Sequence, residues 1–228
     1  MRIDARPAEG RCGERGIMSG APQSDTRPRL SARRLLAGLA VLAGGALACE
    51  AASRFIAARF PDRPVVPDLL LEIAPFAADV RHVTAAAMVA GALLFAYYAL
   101  RFAPKEIPRF AAVLGIMYLL RAAIMVLTPL AHARGGGPPA FPLFQHGMFP
   151  SGHTAAALLF AFLTDAGRAP RLRVAQFALL AIVIAALLIS RGHYSIDIVG
   201  GALLAYFVDR EWTNGSLFDP VKRFVGAA

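Results

Sequence analysis

The sequence predicts an all-α, polytopic membrane protein built as a bundle of six transmembrane helices. Three observations predict it. Of 228 residues, 57% are hydrophobic and the mean hydropathy is +0.54, which leaves too little polar surface to cover a soluble domain of this size. Six apolar stretches reach or approach the roughly 20 residues that cross a hydrocarbon core. The charges fall between these stretches and mostly on one side. With the amino terminus in the cytoplasm, 17 of the 24 Lys and Arg residues lie on that side, 6 lie outside, and Arg121 is left within the third span. This asymmetry is the positive-inside pattern.

The elements follow in order. Residues 1–32, rich in Arg, Gly and Pro, read as a disordered basic cytoplasmic tail. The tail has no apolar core resembling a secretion signal, so the first span, 33–53, both targets and anchors the protein. Further spans are expected over 82–102, 109–131, 151–167, 173–190 and 192–209, and a short cytoplasmic tail over 210–228. Repeated Ala and Gly along them suit close helix packing in lipid. Cys12 lies in the tail and Cys49 in the first span, so no disulfide is expected. The net charge of +9 could serve a nucleic-acid partner, but its placement at loop ends assigns it to membrane topology instead. Arg outnumbers Lys 22 to 2, which with the Ala content fits a GC-rich bacterial genome and hence an inner membrane.

This topology brings the unusual polar residues to one side. The fourth span opens at the outer face with Pro150, Ser151 and His153, the sixth with His193 and Asp197, and the first outer loop carries Asp68. The third span enters from the cytoplasm at Arg109, so Arg121 lies about 18 Å along it, past the midplane toward the same face. Two histidines, a carboxylate and two arginines, Arg121 and Arg191, therefore share an outer-side pocket suited to an anionic substrate. Ionisable groups are costly in lipid and mark functional sites there.

His193 and Asp197 are four apart, so on a helix they share one face. A carboxylate on Nδ1 fixes the imidazole tautomer and leaves Nε2 free to attack or to take a proton. His153 can deliver a proton to a departing oxygen. Ser151 is placed to cap the fourth span and turn its free amides toward a phosphate. Arg121 and Arg191 can clamp the oxygens of a pentacoordinate phosphorus. Plainer roles exist for each group. Pro-Ser-Gly-His also serves as a simple helix cap, and the His–Asp pair as a structural hydrogen bond or, with His153, a zinc site. His82, His132 and His146 read as interfacial, and the Arg-Gly-Gly-Gly-Pro-Pro run from Arg134 as a flexible outer connection or lid.

Four blocks carry a family resemblance: "VPDLLLEIAP" around Asp68, "RFAAVLGIMYLLRAAIMVLTPL" from Arg109 with Tyr118 and Arg121 within it, "SGHT" from Ser151, and "HYSID" from His193. Together they resemble the type 2 phosphatidic acid phosphatase superfamily, and within it the sphingomyelin synthase and inositol phosphorylceramide synthase branch. The resemblance implies a six-helix membrane core over 33–209. It also implies a triad carried onto His153, His193 and Asp197, with Asp68, Tyr118, Arg121, Ser151 and Arg191 as candidate substrate-binding residues. His193 would attack phosphorus to give a phosphohistidine, with neither metal nor other cofactor. The implied partners are a phospholipid donor and a lipid alcohol acceptor, ceramide or diacylglycerol, met in the bilayer.

The departures from the pattern are specific. The superfamily's lipid phosphatases carry Lys followed seven residues later by Arg-Pro, whereas Lys105 is followed there by Ala112 and Val113. Those phosphatases also carry Arg six residues before the last His, where this chain has Leu187. Both absences favour a synthase-like transferase over the alternative of a lipid phosphate phosphatase. The synthases' Cys-Gly-Asp before the third block is replaced by Gln145, His146 and Gly147. A transporter or inert scaffold is the remaining, non-enzymatic alternative.

Overall fold

Residues 31–133 and 146–226 are described by a computed structural model, and every regular element within them is helical. The elements are α1 (Ala32–Arg59), α2 (Leu69–Ile73), α3 (Arg81–Phe102), α4 (Ile107–Met125), α5 (Gly152–Leu163), α6 (Pro170–Ile189), α7 (Ser195–Asn214) and α8 (Asp219–Val225). The amino-terminal tail up to residue 30, with Cys12, and the glycine-rich connection from Arg134 lie outside the described residues.

The six longer helices overlap the six apolar stretches of the sequence. Four of them, α1, α3, α4 and α6, are long and apolar enough to cross a membrane. The other two depart from that standard for different reasons. Helix α5 has only 12 residues, and α7 has 20 but carries Asp197, Asp209, Arg210 and Glu211. Large apolar side chains face outward along the bundle, among them Leu47, Leu93, Val174 and Leu203, an exterior whose natural solvent is lipid.

Helix boundaries shift from the expected spans for local reasons. Helix α4 stops at Met125 rather than 131, because Pro129 disfavours helical backbone at Thr128 before it. Helix α5 stops at Leu163, where the Asp165 carboxylate accepts from the amides of Gly167 and Arg168 and turns the chain. Helix α6 opens with Pro170 at a position whose amide needs no partner. Helix α7 starts at Ser195, three residues later than expected, so His193 lies before the helix and not on it.

Packing pairs α1 with α4 and α3 with α6, and sets α5 between α6, α7, α3 and α4. Ala155, Ala156, Leu159 and Ala161 of α5 are fully or almost fully buried. Some buried polar groups are matched across helices, as lipid favours. The amide of Gln176 on α6 donates to the carbonyl of Gly91 on α3 at 3.0 Å. Phe95 of α3 stacks on Phe160 of α5 with centroids 5.0 Å apart. The Tyr98 hydroxyl accepts from the Asp165 amide at 3.1 Å and ties the carboxyl end of α5 to α3. At that end α8 packs on α1 and α4, and Trp212, Phe218 and Val225 close an apolar floor. The opposite end, where α5 and α7 begin, is polar.

Candidate active site

The site is assembled from two helix starts. The Ser151 side chain caps α5, accepting from the Thr154 amide at 3.3 Å and the Thr154 hydroxyl at 3.2 Å. It is fully buried, so it offers the site the helical turn that it caps, with its own hydroxyl engaged. The Ser151 amide donates to the Asp197 carbonyl at 2.9 Å, which fastens the start of α5 to the first turn of α7.

Asp197 is the third residue of α7, and its Oδ2 accepts both from the Tyr194 amide at 2.9 Å and from His193 Nδ1 at 3.1 Å. The Tyr194 contact is half of a capping box, in which a carboxylate reaches back to the residue before the helix. The expected His–Asp pairing is present, but it is made by a cap: His193 lies ahead of the helix, and the carboxylate that closes the helix start also holds its ring. Asp197 is fully buried and His193 is 4% exposed.

With Nδ1 engaged by the carboxylate, His193 presents Nε2 to the interior of the site. His153, the second residue of α5, meets it there, its Nδ1 3.4 Å from His193 Nε2 and the rings inclined at 67°. The three residues of the expected triad are thus brought together, from α5, the α6–α7 connection and α7. A chain of acceptor, imidazole and second imidazole can supply a nucleophile with its orienting group and a partner for proton transfer.

The connection that delivers His193 is strained. At the end of α6 the Gly192 amide donates to the Leu187 carbonyl and the Arg191 amide to that of Leu188, the Schellman pattern, whose left-handed position usually holds glycine. Here Arg191 occupies it at φ 53°. A left-handed non-glycine residue costs roughly 1–2 kcal/mol and is retained where its side chain serves the site. Arg191 Nη2 donates to the Leu71 carbonyl at 3.2 Å, and the guanidinium lies over the Phe76 ring, 4.9 Å from its centroid.

The other candidates fall into place around this centre. Arg121, 3% exposed on α4, donates from Nε to the Pro150 carbonyl at 3.0 Å and from Nη2 to the Gly147 carbonyl at 2.7 Å. Its remaining nitrogen reaches Cys49 Sγ at 3.5 Å, and Cys49 donates to the Tyr118 carbonyl at 3.1 Å. The guanidinium therefore grips the turn that leads into α5. Tyr118 packs one helical turn away against the Cys49 cluster. Asp68 caps α2 through the Leu70 and Leu71 amides and accepts from the Ser195 amide at 2.6 Å, which joins the connection between α1 and α3 to the start of α7. Burial alone would raise its pKa, but these bonds from Ser195, Leu71 and Leu70 outweigh burial and hold the carboxyl below its ordinary range.

A pocket of about 290 Å³ lies beside the centre, bounded by Pro67, Asp68, Leu71, Glu72, Arg191 and Tyr194. It is walled by residues that flank His193, not by the two imidazoles. Among the described residues no group of three or more His, Cys, Asp or Glu side chains is placed to hold a metal ion.

Three basic residues outside the expected site, Arg63, His132 and His146, also converge here. His146 donates its amide to the Ser53 hydroxyl of α1 at 3.0 Å, and Arg63 lies against it, with Nη1 3.4 Å from its carbonyl and Nη2 3.4 Å from its Nδ1. The pKa of His132 is lowered by burial and then by the charges of Arg63, His146 and His193. His82, by contrast, is exposed. The available signal was only that His132 and His146 bracket one loop on the face that holds His153 and His193.

Residues 144–208 match the family model of the PAP2 superfamily. That stretch contains His153, His193 and Asp197, and the match supports a lipid phosphatase or phosphotransferase kind of enzyme acting on lipids in a membrane. No curated protein sequence matches the chain.

Proposed function

We propose that the chain moves a phosphorylated head group from a glycerophospholipid to a lipid alcohol, ceramide or diacylglycerol, through a phosphohistidine at His193. The observation that carries this reading is the relay Asp197 Oδ2, His193 Nδ1, His193 Nε2 and His153 Nδ1, spaced at 3.1 Å and 3.4 Å. His193 Nε2 forms a bond to phosphorus while the bond from phosphorus to the diacylglycerol oxygen breaks, and His153 gives its proton to that oxygen. The acceptor hydroxyl then returns a proton to His153 as its oxygen attacks phosphorus and the phosphorus–nitrogen bond breaks. Asp197 stabilises the charged His193 ring, and Arg191 faces the developing negative charge. The site faces the outer side of an inner membrane, with the amino terminus in the cytoplasm, in keeping with the distribution of Lys and Arg.

Water in place of the alcohol would make the same phosphohistidine a lipid phosphate phosphatase. Incubating the purified protein with a head-group-labelled phospholipid, with and without ceramide, separates the two. Transfer predicts a labelled lipid that appears only with the acceptor, and hydrolysis predicts free label whether or not acceptor is present. Asp197→Asn should lower turnover by about 10⁴-fold through the wrong tautomer of its imidazole, and His193→Ala by at least as much, with loss of acid-labile label on the protein. Full turnover in either variant would overturn the phosphohistidine at His193, and a wild type without turnover would leave the non-enzymatic reading.

A further inference from the structure

Arg63, His132 and His146 lie on segments that border His193 and have no role in the relay. Four chain segments far apart in sequence are pinned together there. The Ala131 amide donates to the Pro64 carbonyl at 3.1 Å, the Val66 amide to the Tyr194 hydroxyl at 3.4 Å, and Leu71, Ala133, Met148 and Tyr194 form one buried apolar cluster. Each segment carries a basic residue close to its anchor: Arg63 beside Pro64, His132 beside Ala133, His146 beside Met148, and His193 beside Tyr194.

Arg63 is only partly satisfied. Its two Nη atoms lean on His146 at 3.4 Å, long for a charge-assisted bond, and its buried Nε has no hydrogen-bond partner among the described residues. A buried, unsatisfied guanidinium N–H is costly, so its retention points to a ligand that completes it. Glu50, the carboxylate whose charge reaches His146, is itself held by Arg54 at 2.7 Å. The guanidinium offers a planar fork matched to a tetrahedral oxyanion. Burial, followed by the charge of Arg63, lowers the pKa of both His132 and His146. Both are neutral rings at neutral pH, each with one N–H to give.

We propose that Arg63, with His132 and His146, is an anion clamp that takes the oxygens of a phosphate group presented to His193. The clamp rests on the reading of that centre as a phosphoryl-transfer site, and it places the principal substrate-binding charge on the first outer loop. Arg63 lies outside all four blocks that carry the family resemblance.

The test uses the full chain in detergent, titrated with inorganic phosphate and with dioctanoyl phosphatidic acid while the thermal midpoint is followed. The wild type should be stabilised by the phosphate group. Arg63→Gln should weaken that binding about 10- to 100-fold, as loss of a charged hydrogen bond does, and Arg63→Lys should keep part of it. Stabilisation by both ligands identifies the phosphate itself as the recognised group, and stabilisation by the lipid alone identifies a lipid head group. A wild type that binds neither ligand overturns the clamp, as does Arg63→Gln binding within twofold of the wild type. If Arg63→Gln loses its helical content, Arg63→Lys decides: a raised KM with kcat little changed supports the clamp, and an unchanged KM overturns it. Weakened binding in the variants with no turnover by the wild type keeps the clamp and discards the transfer reading. Turnover through a phosphohistidine with unweakened binding does the reverse.

Discussion

Two helix seams in this molecule use the same packing device to different ends. Between α1 and α4, a Cβ on Gly45 would collide with the Gly115 backbone, and one on Gly115 with the Val41 backbone, so the two helices meet main chain to main chain. Between α5 and α7, a Cβ on Gly201 would collide with the Ser151 carbonyl. Both are small-residue seams of the kind that brings helices together in lipid. The first leads to the contact of Cys49 with Arg121, not to the paired imidazoles. The second ends in Ser151, Asp197 and the paired imidazoles, where the Ser151 amide meets the Asp197 carbonyl. Close backbone approach is thus a general means of assembly here, and it becomes a site only where polar helix starts are brought into register.

The difference can be broken most severely at Gly201. Gly201→Leu should push α5 from α7, separate His153 from His193, and lower turnover by about 100-fold or more, the penalty of misplacing a reacting group by an ångström. Turnover per folded molecule, measured beside the thermal midpoint, checks it; a variant that loses stability but keeps its rate would remove the link between this seam and the chemistry. Arg121→Lys comes next. A single ammonium cannot grip both the Gly147 and the Pro150 carbonyls, so the turn into α5 loosens and kcat should fall roughly tenfold with KM little changed. A rise in KM at constant kcat would instead make Arg121 a substrate contact. The smallest effect on rate is expected at Gly45. Gly45→Leu should cost about 1–3 kcal/mol of stability by overpacking, seen as a lower thermal midpoint, while the turnover of the folded fraction stays close to that of the wild type.

The helices themselves were legible because hydropathy and length are one-dimensional properties, and α1, α3, α4 and α6 follow them closely. The partnership of His193 with Asp197 was legible from spacing, but the reason was not. The spacing implied two residues on one helical face, whereas the chain reaches the contact through a left-handed Arg191 and a cap. A left-handed position is ordinarily announced by glycine; here Gly192 stands one place later, and the strained residue is an arginine. Arg121 was readable as a buried cation, but its partners are main-chain carbonyls, which leave no mark on a sequence. Arg63, His132 and His146 meet only because separate loops are folded over one another, a relation that no local pattern encodes.

The short α5 has a consequence for how a lipid arrives. From the bond that joins the Tyr98 hydroxyl to the Asp165 amide, α3 climbs about 26 Å to Arg81, while α5 climbs about 20 Å to Gly152. The start of α5, which carries His153, therefore lies about 6 Å short of the level that α3 reaches. On the proposed reading, a phospholipid with its phosphate riding at the surface would have to sink, or the leaflet to dimple, before its phosphorus reached His193. A soluble phosphate ester has no tails to guide that descent, which favours customers delivered sideways from the bilayer.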